Sequence, residues 1–279
     1  MPGKAEGYCI NHYPGGVNSV PLHMEMRFLC QIILYLAATI VTFMKRLITL
    51  IFFLFGFTAI FAANREDVTV YPEISETFNA VKVGGEFRVV YCDAADTLKI
   101  TANDKVIQNV ECVVEDSTLI VRYREGKSVK AILGGRSPIV CIPANPAIER
   151  FTLSGTTRME SHTPFVRDSL AIELSGTSRV IGEVRSSALS VRCAGTVNVT
   201  LTGSADSVDI RIDGASRVAM GEGFECTRGQ IDINGTGFVR LNCKEKLSGE
   251  IAGGAVVKYL GKPDVAIVTN GLASISAVD

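Results

Sequence analysis

One pattern constrains this chain more than any other: a glycine that recurs at nearly fixed spacing inside strand-like sequence. From residue 150 onward the glycines Gly155, Gly176, Gly195, Gly214, Gly235, Gly253 and Gly271 stand 21, 19, 19, 21, 18 and 18 residues apart. Each sits in the same surroundings, as in Ile172-Glu173-Leu174-Ser175-Gly176-Thr177-Ser178-Arg179-Val180 and Ile210-Arg211-Ile212-Asp213-Gly214-Ala215-Ser216-Arg217-Val218. Aligned on the glycine, three columns are apolar almost throughout. Four before it stand Phe151, Ile172, Val191, Ile210, Ile231, Gly249 and Ile267. Two before it stand Leu153, Leu174, Cys193, Ile212, Ile233, Ile251 and Thr269. Four after it stand Met159, Val180, Val199, Val218, Val239, Val257 and Ile275. The column between the first two carries Thr152, Glu173, Arg192, Arg211, Asp232 and Glu250, with a single apolar member, Val268.

Alternation with period two means strands with one buried face. The glycine suits a bend where φ is positive or backbones approach closely. A polar bend precedes the repeats, as at Asp168-Ser169, Ser186-Ser187, Asp206-Ser207 and Pro263-Asp264, and Leu170, Leu189, Val208, Leu247 and Val265 follow as another inward column. A unit of about 20 residues cannot bury its apolar side alone, but stacked units can. The expected fold is all-β, a parallel β-solenoid (β-helix) of about seven coils over residues 151–279. An ordinary antiparallel sandwich also alternates, but does not hold one column apolar at a fixed phase to a glycine. Residues 64–150 are β-rich and less regular, with alternation at Val81 and Val83, at Phe87, Val89 and Tyr91, and at Val110, Cys112 and Val114. They read as an N-terminal β layer capping the stack, continuous with it as one domain. The far end is expected to stay uncapped, which points to a homodimer or another envelope protein as partner there.

Ahead of this domain, Met44-Lys45-Arg46 opens an apolar run from Leu47 to Ala63, followed by Asn64-Arg65-Glu66-Asp67. A basic start, an apolar stretch and small residues at a polar boundary make residues 44–63 a signal peptide. The protein is therefore expected to be exported, to the periplasm or the outer cell surface. Residues 1–43 hold a second apolar run from Phe28 to Val41. They read as an upstream extension of a gene that begins at Met44, against the alternative of a two-helix membrane hairpin turning at Lys45-Arg46. Each run falls short of the ~20 residues of a spanning helix.

The repeats also resemble a known family. Leu153-Ser154-Gly155-Thr156, Asp232-Ile233-Asn234-Gly235 and Ile251-Ala252-Gly253-Gly254 running into Tyr259-Leu260-Gly261-Lys262-Pro263 look like the head GIN domain family, named as auto-transporter adhesins of bacterial envelopes. The resemblance covers about residues 74–279. It implies an exported β-helical domain with no established enzymatic activity, read as an adhesin or surface-binding module, with a structural envelope scaffold and then a β-helix polysaccharide-active enzyme as the alternatives.

Composition narrows the chemistry. Lys and Arg number 28 against 29 Asp and Glu, so no basic excess draws nucleic acid. Of three histidines, only His162 lies beyond the signal segment. No metal site, cofactor or catalytic residue is expected. The outward acids Glu173, Asp232 and Glu250 are interrupted in their own column by Arg192 and Arg211, unlike the clustered carboxylates of a glycosidase. Six cysteines follow the signal segment: Cys92, Cys112, Cys141, Cys193, Cys226 and Cys243. Pairing is open to them in an oxidising envelope. The reading preferred from their apolar surroundings is that of buried thiols acting as small hydrophobes.

Two sets of surface residues carry a functional expectation. Arg158, Arg179 and Arg217 share the column three after the glycine, with Asn198 in the gap. They form a partial basic ladder for an anionic ligand such as a surface glycan. Thr97, Ser117, Ser169 and Ser207 follow an aspartate, as in a bacterial envelope O-glycosylation motif. The same dipeptides also make good bends.

The column assignment has a direct test. Ile212→Asp should bury an unpaired carboxylate and cost several kcal/mol, whereas Glu173→Ala should stay within about 0.5 kcal/mol. Urea unfolding of the two variants measures the difference, and equal effects would refute the assignment.

Overall fold

The computed structural model describes residues 8–9, 20–21, 44, 67–124 and 136–278. Apart from Met44, residues 44–63, expected from sequence to be a signal peptide, lie outside the described residues, as do most of residues 1–43 and Gly126, Gly134 and Gly135. The chain divides into two compact units, Met1–Arg65 and Glu66–Asp279. In the first, Tyr8–Cys9 pairs antiparallel with Val20–Pro21.

The second unit is all-β, as its alternation requires. Its strands are β1 (Asp67–Val70), β2 (Ala80–Cys92), β3 (Lys99–Asn103), β4 (Val110–Glu115), β5 (Thr118–Tyr123), β6 (Ile139–Pro143), β7 (Arg150–Ser161), β8 (Phe165–Met220), β9 (Phe224–Leu260), β10 (Asp264–Thr269) and β11 (Leu272–Ala277). A single turn of helix, α1 (Asp104–Ile107), is capped by the Asn103 side chain, which accepts from the Lys105 backbone N–H at 3.2 Å.

Pairing follows the repeat. β7 lies parallel to β8 with Phe151 opposite Ile172 and Met159 opposite Val180. β8 lies parallel to β9 with Ile212 opposite Ile233, Gly214 opposite Gly235 and Val218 opposite Val239. β9 in turn pairs parallel with β10 and β11, placing Leu247 opposite Val265 and Val257 opposite Ile275. Equivalent positions of successive repeats thus become hydrogen-bonded neighbours. Side chains of one column stack at about the 4.8 Å strand spacing.

The inward columns make the core. Phe151, Ile172, Val191, Ile210 and Ile231 have no exposed surface, nor do Met159, Val180, Val199, Val218 and Val239. A further inward column, two after the glycine, was not legible as one in the sequence because its members are chemically mixed. It holds Thr157, Ser178, Val197, Ser216 and Ala255, all buried. Their hydroxyls are satisfied locally: Thr157 Oγ1 donates to the Ser154 carbonyl at 3.0 Å, Ser178 Oγ to Ser175 at 3.0 Å, and Ser216 Oγ to Gly195 at 3.2 Å.

The glycine column is where backbones meet. Gly195 has φ of +125°, and a Cβ there would lie 2.5 Å from the Gly176 carbonyl oxygen. A Cβ on Gly235 would stand equally close to the carbonyl of Gly214. No side chain fits between successive bends.

Residues 80–92 carry the same pattern one rung earlier. β2 pairs parallel with β7, matching Val81 to Phe151, Gly85 to Gly155 and Val89 to Met159. The sequence had placed this stretch in a less regular layer, because the segment bearing β3 to β6 separates it from the next repeat and breaks the period. On the other side of β2, β5 pairs with Ala80–Gly84 and β6 with Arg88–Cys92, so two short strands stand where one long one would. Antiparallel β3, β4 and β1 attach to these.

The cysteines correct one expectation. Cys92 and Cys141 are joined by a disulfide across 49 residues, not held as separate small hydrophobes. Spacing could not reveal the bond because β6 is brought to β2 only by the fold. Closing a loop of that length stabilises by about 4 kcal/mol in the chain-entropy account. Cys193, Cys226 and Cys243 are free and buried, and Cys112 is free and half-buried. Burial pushes the Cys193 thiol up to about 12 and that of Cys112 up to about 11.

The glycine contact yields its own test. Gly195→Ala should cost roughly 1–3 kcal/mol through strain and backbone displacement. Gly254→Ala, where a Cβ would meet nothing within 4 Å, should leave the melting temperature nearly unchanged. Similar losses at both sites would show that close backbone approach does not select the glycines.

Candidate ligand groove

In each rung the residues one and three after the glycine point outward on the same side, because they flank an inward residue. Stacked over the rungs, they raise two parallel ridges with backbone between them. The trough so formed is a groove of about 1540 Å³ that follows the glycine bends. It begins at Glu86 and Arg88 of β2, beside Arg136 and Ser137, and ends at Leu272 and Ser274 of β11.

All three arginines of the ladder line this groove. Arg158 lies in register with Arg179 on one side and with Arg88 on the other. Arg217 is separated from Arg179 by the Asn198 rung. It stands opposite Phe238 and stacks its guanidinium over that ring at 4.1 Å. Sequence reasoning missed Arg88, although it follows Gly85 by three residues as Arg158 follows Gly155. It also missed Phe238, Val256 and Leu272, which continue the arginine and threonine ridges with apolar residues.

The charges in the groove are unevenly matched. Arg88 donates from Nη2 to Glu160 Oε2 at 2.8 Å. That bond holds the Glu160 carboxyl below the usual carboxylate range. Neither Arg158 nor Arg179 takes part in any ion pair among the described residues. The outward column three before the glycine behaves differently. There Arg192 lies 3.9 Å from Glu173, and Arg211 lies 3.9 Å from Asp232. Opposite charges on adjacent rungs compensate each other, and these acids form no free carboxylate pair.

The serine and threonine set is scattered rather than gathered. Thr97, Ser117 and Ser169 are exposed, and Ser207 is half-buried with its hydroxyl donating to the Ser187 carbonyl at 3.3 Å. Asp116 and Ser117 have φ of +48° and +58°, the backbone of a two-residue hairpin turn between β4 and β5. His162 is exposed, at the end of β7. Cys92, Asp96 and Cys141 approach one another closely enough to suggest a metal cluster. The two sulfurs are bonded to each other, however, and do not form a ligand set.

Comparison with known proteins places this architecture. The family described as "Putative auto-transporter adhesin, head GIN domain" matches residues 77–263. No curated protein matches significantly. Among solved structures, a "putative adhesin" from Bacteroides fragilis NCTC 9343 is 19% identical with a TM-score of 0.67. A "putative adhesin" from Parabacteroides merdae ATCC 43184 is 20% identical with a TM-score of 0.58. A "putative lipid binding protein" from Parabacteroides distasonis ATCC 8503 is 16% identical with a TM-score of 0.58. Each similarity covers 77% of this chain and 98% of the other. At such identities the likeness is one of fold. The family match spans most of the chain and includes the repeats phased on Gly155 through Gly253, and the chain belongs to the head GIN domain family.

Proposed function

We propose that this protein is an exported, non-enzymatic binding module of the bacterial envelope. Its repeats form a parallel β-solenoid of about seven coils, preceded by the rung of β2. Its groove holds an anionic envelope component, such as a surface glycan, through Arg158, Arg179 and Arg217. Family membership supports the envelope location and the absence of catalysis.

One observation carries the binding reading. Arg158 and Arg179 are stacked in register, at about the 4.8 Å strand spacing, and neither forms an ion pair among the described residues, although the charge of Arg158 is felt by the Glu160 carboxylate, which is hydrogen-bonded to Arg88. Like charges on directly opposed residues of neighbouring strands destabilise a sheet. A bound phosphate, sulfate or carboxylate relieves that repulsion and accepts hydrogen bonds from both guanidinium groups. The compensated column at Glu173, Arg192, Arg211 and Asp232 offers no such opening.

Dextran sulfate serves as a probe. It should bind the wild-type protein with an affinity that falls as salt rises. The double variant Arg158→Gln/Arg179→Gln should weaken binding by roughly tenfold or more without lowering the melting temperature. Unchanged affinity in a folded double variant would exclude the arginine ladder as the site.

The open edge supports a further reading of assembly. β10 and β11 pair with β9 on one edge, and among the described residues no strand covers the other. Val265, Ile267, Ala273 and Ile275 pack there only partly against the core. An uncovered edge of this kind accepts another strand, and a second copy of this chain is the proposed occupant. Multi-angle light scattering should report a dimer that dissociates on dilution. A monomer at all concentrations would refute it.

A further inference from the structure

The groove changes character along its length, and the change specifies its ligand more closely than charge alone. At the β2 end its outer ridge is cationic, with Arg88, Arg158 and Arg179 and with Arg136 beside them; Glu86 lines the same end and Glu160 pairs with Arg88, which leaves Arg158 and Arg179 as the ridge cations outside any ion pair among the described residues. Past Asn198 the same ridge runs through Arg217, Phe238 and Val256 to Ser274, apolar over its two middle rungs. Arg217 lies flat over Phe238, and Val256 follows at the next glycine phase. The facing ridge passes from Thr156, Thr177 and Thr196 through Ala215 and Thr236 to Gly254 and Leu272. Val256 is 37% exposed and Leu272 is 89% exposed, so this apolar run faces solvent. At Gly254 the space a side chain would occupy is open.

We propose that the groove binds a single lipid molecule with an anionic head group. The head lies between Arg158 and Arg179, and the acyl chain runs toward Leu272. This rests on the anion-binding reading above and deepens it. The distance from the Gly176 rung to the Gly271 rung is five strand spacings, about 24 Å, enough for an extended chain. Charge complementarity fixes the head at one end. Removal of methylenes from water over Phe238, Val256 and Leu272 supplies the rest of the affinity. A soluble anionic oligosaccharide would satisfy the arginines but leave the apolar half uncovered. A neutral detergent would do the reverse.

Isothermal titration with dodecyl phosphate below its micelle threshold tests this, with inorganic phosphate and dodecyl maltoside as separate probes. Dodecyl phosphate should bind at one molecule per chain, with each of the other two weaker by roughly tenfold or more. Val256→Ser/Leu272→Ser changes exposed residues and should keep the fold. It should remove the advantage of dodecyl phosphate over inorganic phosphate. Arg158→Gln/Arg179→Gln should remove its advantage over dodecyl maltoside. If dodecyl phosphate binds no tighter than phosphate, or the serine variant binds it as wild type does, the lipid assignment is overturned. In that event, arginine-dependent binding of dextran sulfate would leave the anion site standing, and arginine-independent binding would remove both.

Discussion

The contact on which this structure depends is between backbones. At each bend the carbonyl of one glycine lies against the Cα of the glycine a repeat later. For Gly195 over Gly176 a Cβ would come within 2.5 Å of that oxygen. Glycine is the residue that permits both the approach and the positive φ. The consequence reaches far beyond the bend. With the corner of every repeat held at one place, the strands on either side pair in one register. Ile212 then meets Ile233, and Val218 meets Val239. A slip of one residue would turn each buried column outward.

That register also builds the surface. The alternation that sends Val180 and Val218 inward sends Arg179 and Arg217 outward, so a column of like residues in the core implies a column on the exterior. The exterior columns are free to differ along the stack, because no packing partner constrains them. One has become a row of mixed charges in which neighbours of opposite sign pair, Arg192 with Glu173 and Arg211 with Asp232. Another has kept Arg158 and Arg179 outside any ion pair among the described residues at one end and turned to Phe238 and Val256 at the other. The register supplies a continuous trough, and substitution on its ridges supplies whatever recognition the trough performs.

Much of this was legible in the residues themselves. The seven glycines, the apolar columns and the arginine column could be read by counting, because a repeat writes the same physical demand many times. The column of Thr157, Ser178, Val197 and Ser216 escaped notice for a related reason. Each hydroxyl finds a carbonyl within its own bend or the adjacent one, so polar and apolar residues are equally tolerated and no pattern results. The rung of β2 was hidden by the long segment between Cys92 and Arg150. Its Gly85 and Arg88 look ordinary until the strand is laid beside β7. The cystine pairing of Cys92 with Cys141 was equally out of reach, since it depends on which strand returns to lie beside β2.

The sequence by itself determined the all-β class, the phase of the repeat, the inward faces and the arginine ladder. Each of these is set by local alternation and by where a side chain cannot fit. Only the tertiary structure decided that β2 joins the stack, that Cys92 meets Cys141, and that the residues flanking the inward column form one groove, cationic at one end and apolar at the other. Those are properties of strands far apart in the chain and adjacent in space. They arise from which backbones hydrogen-bond across the sheet, and no single segment carries that information.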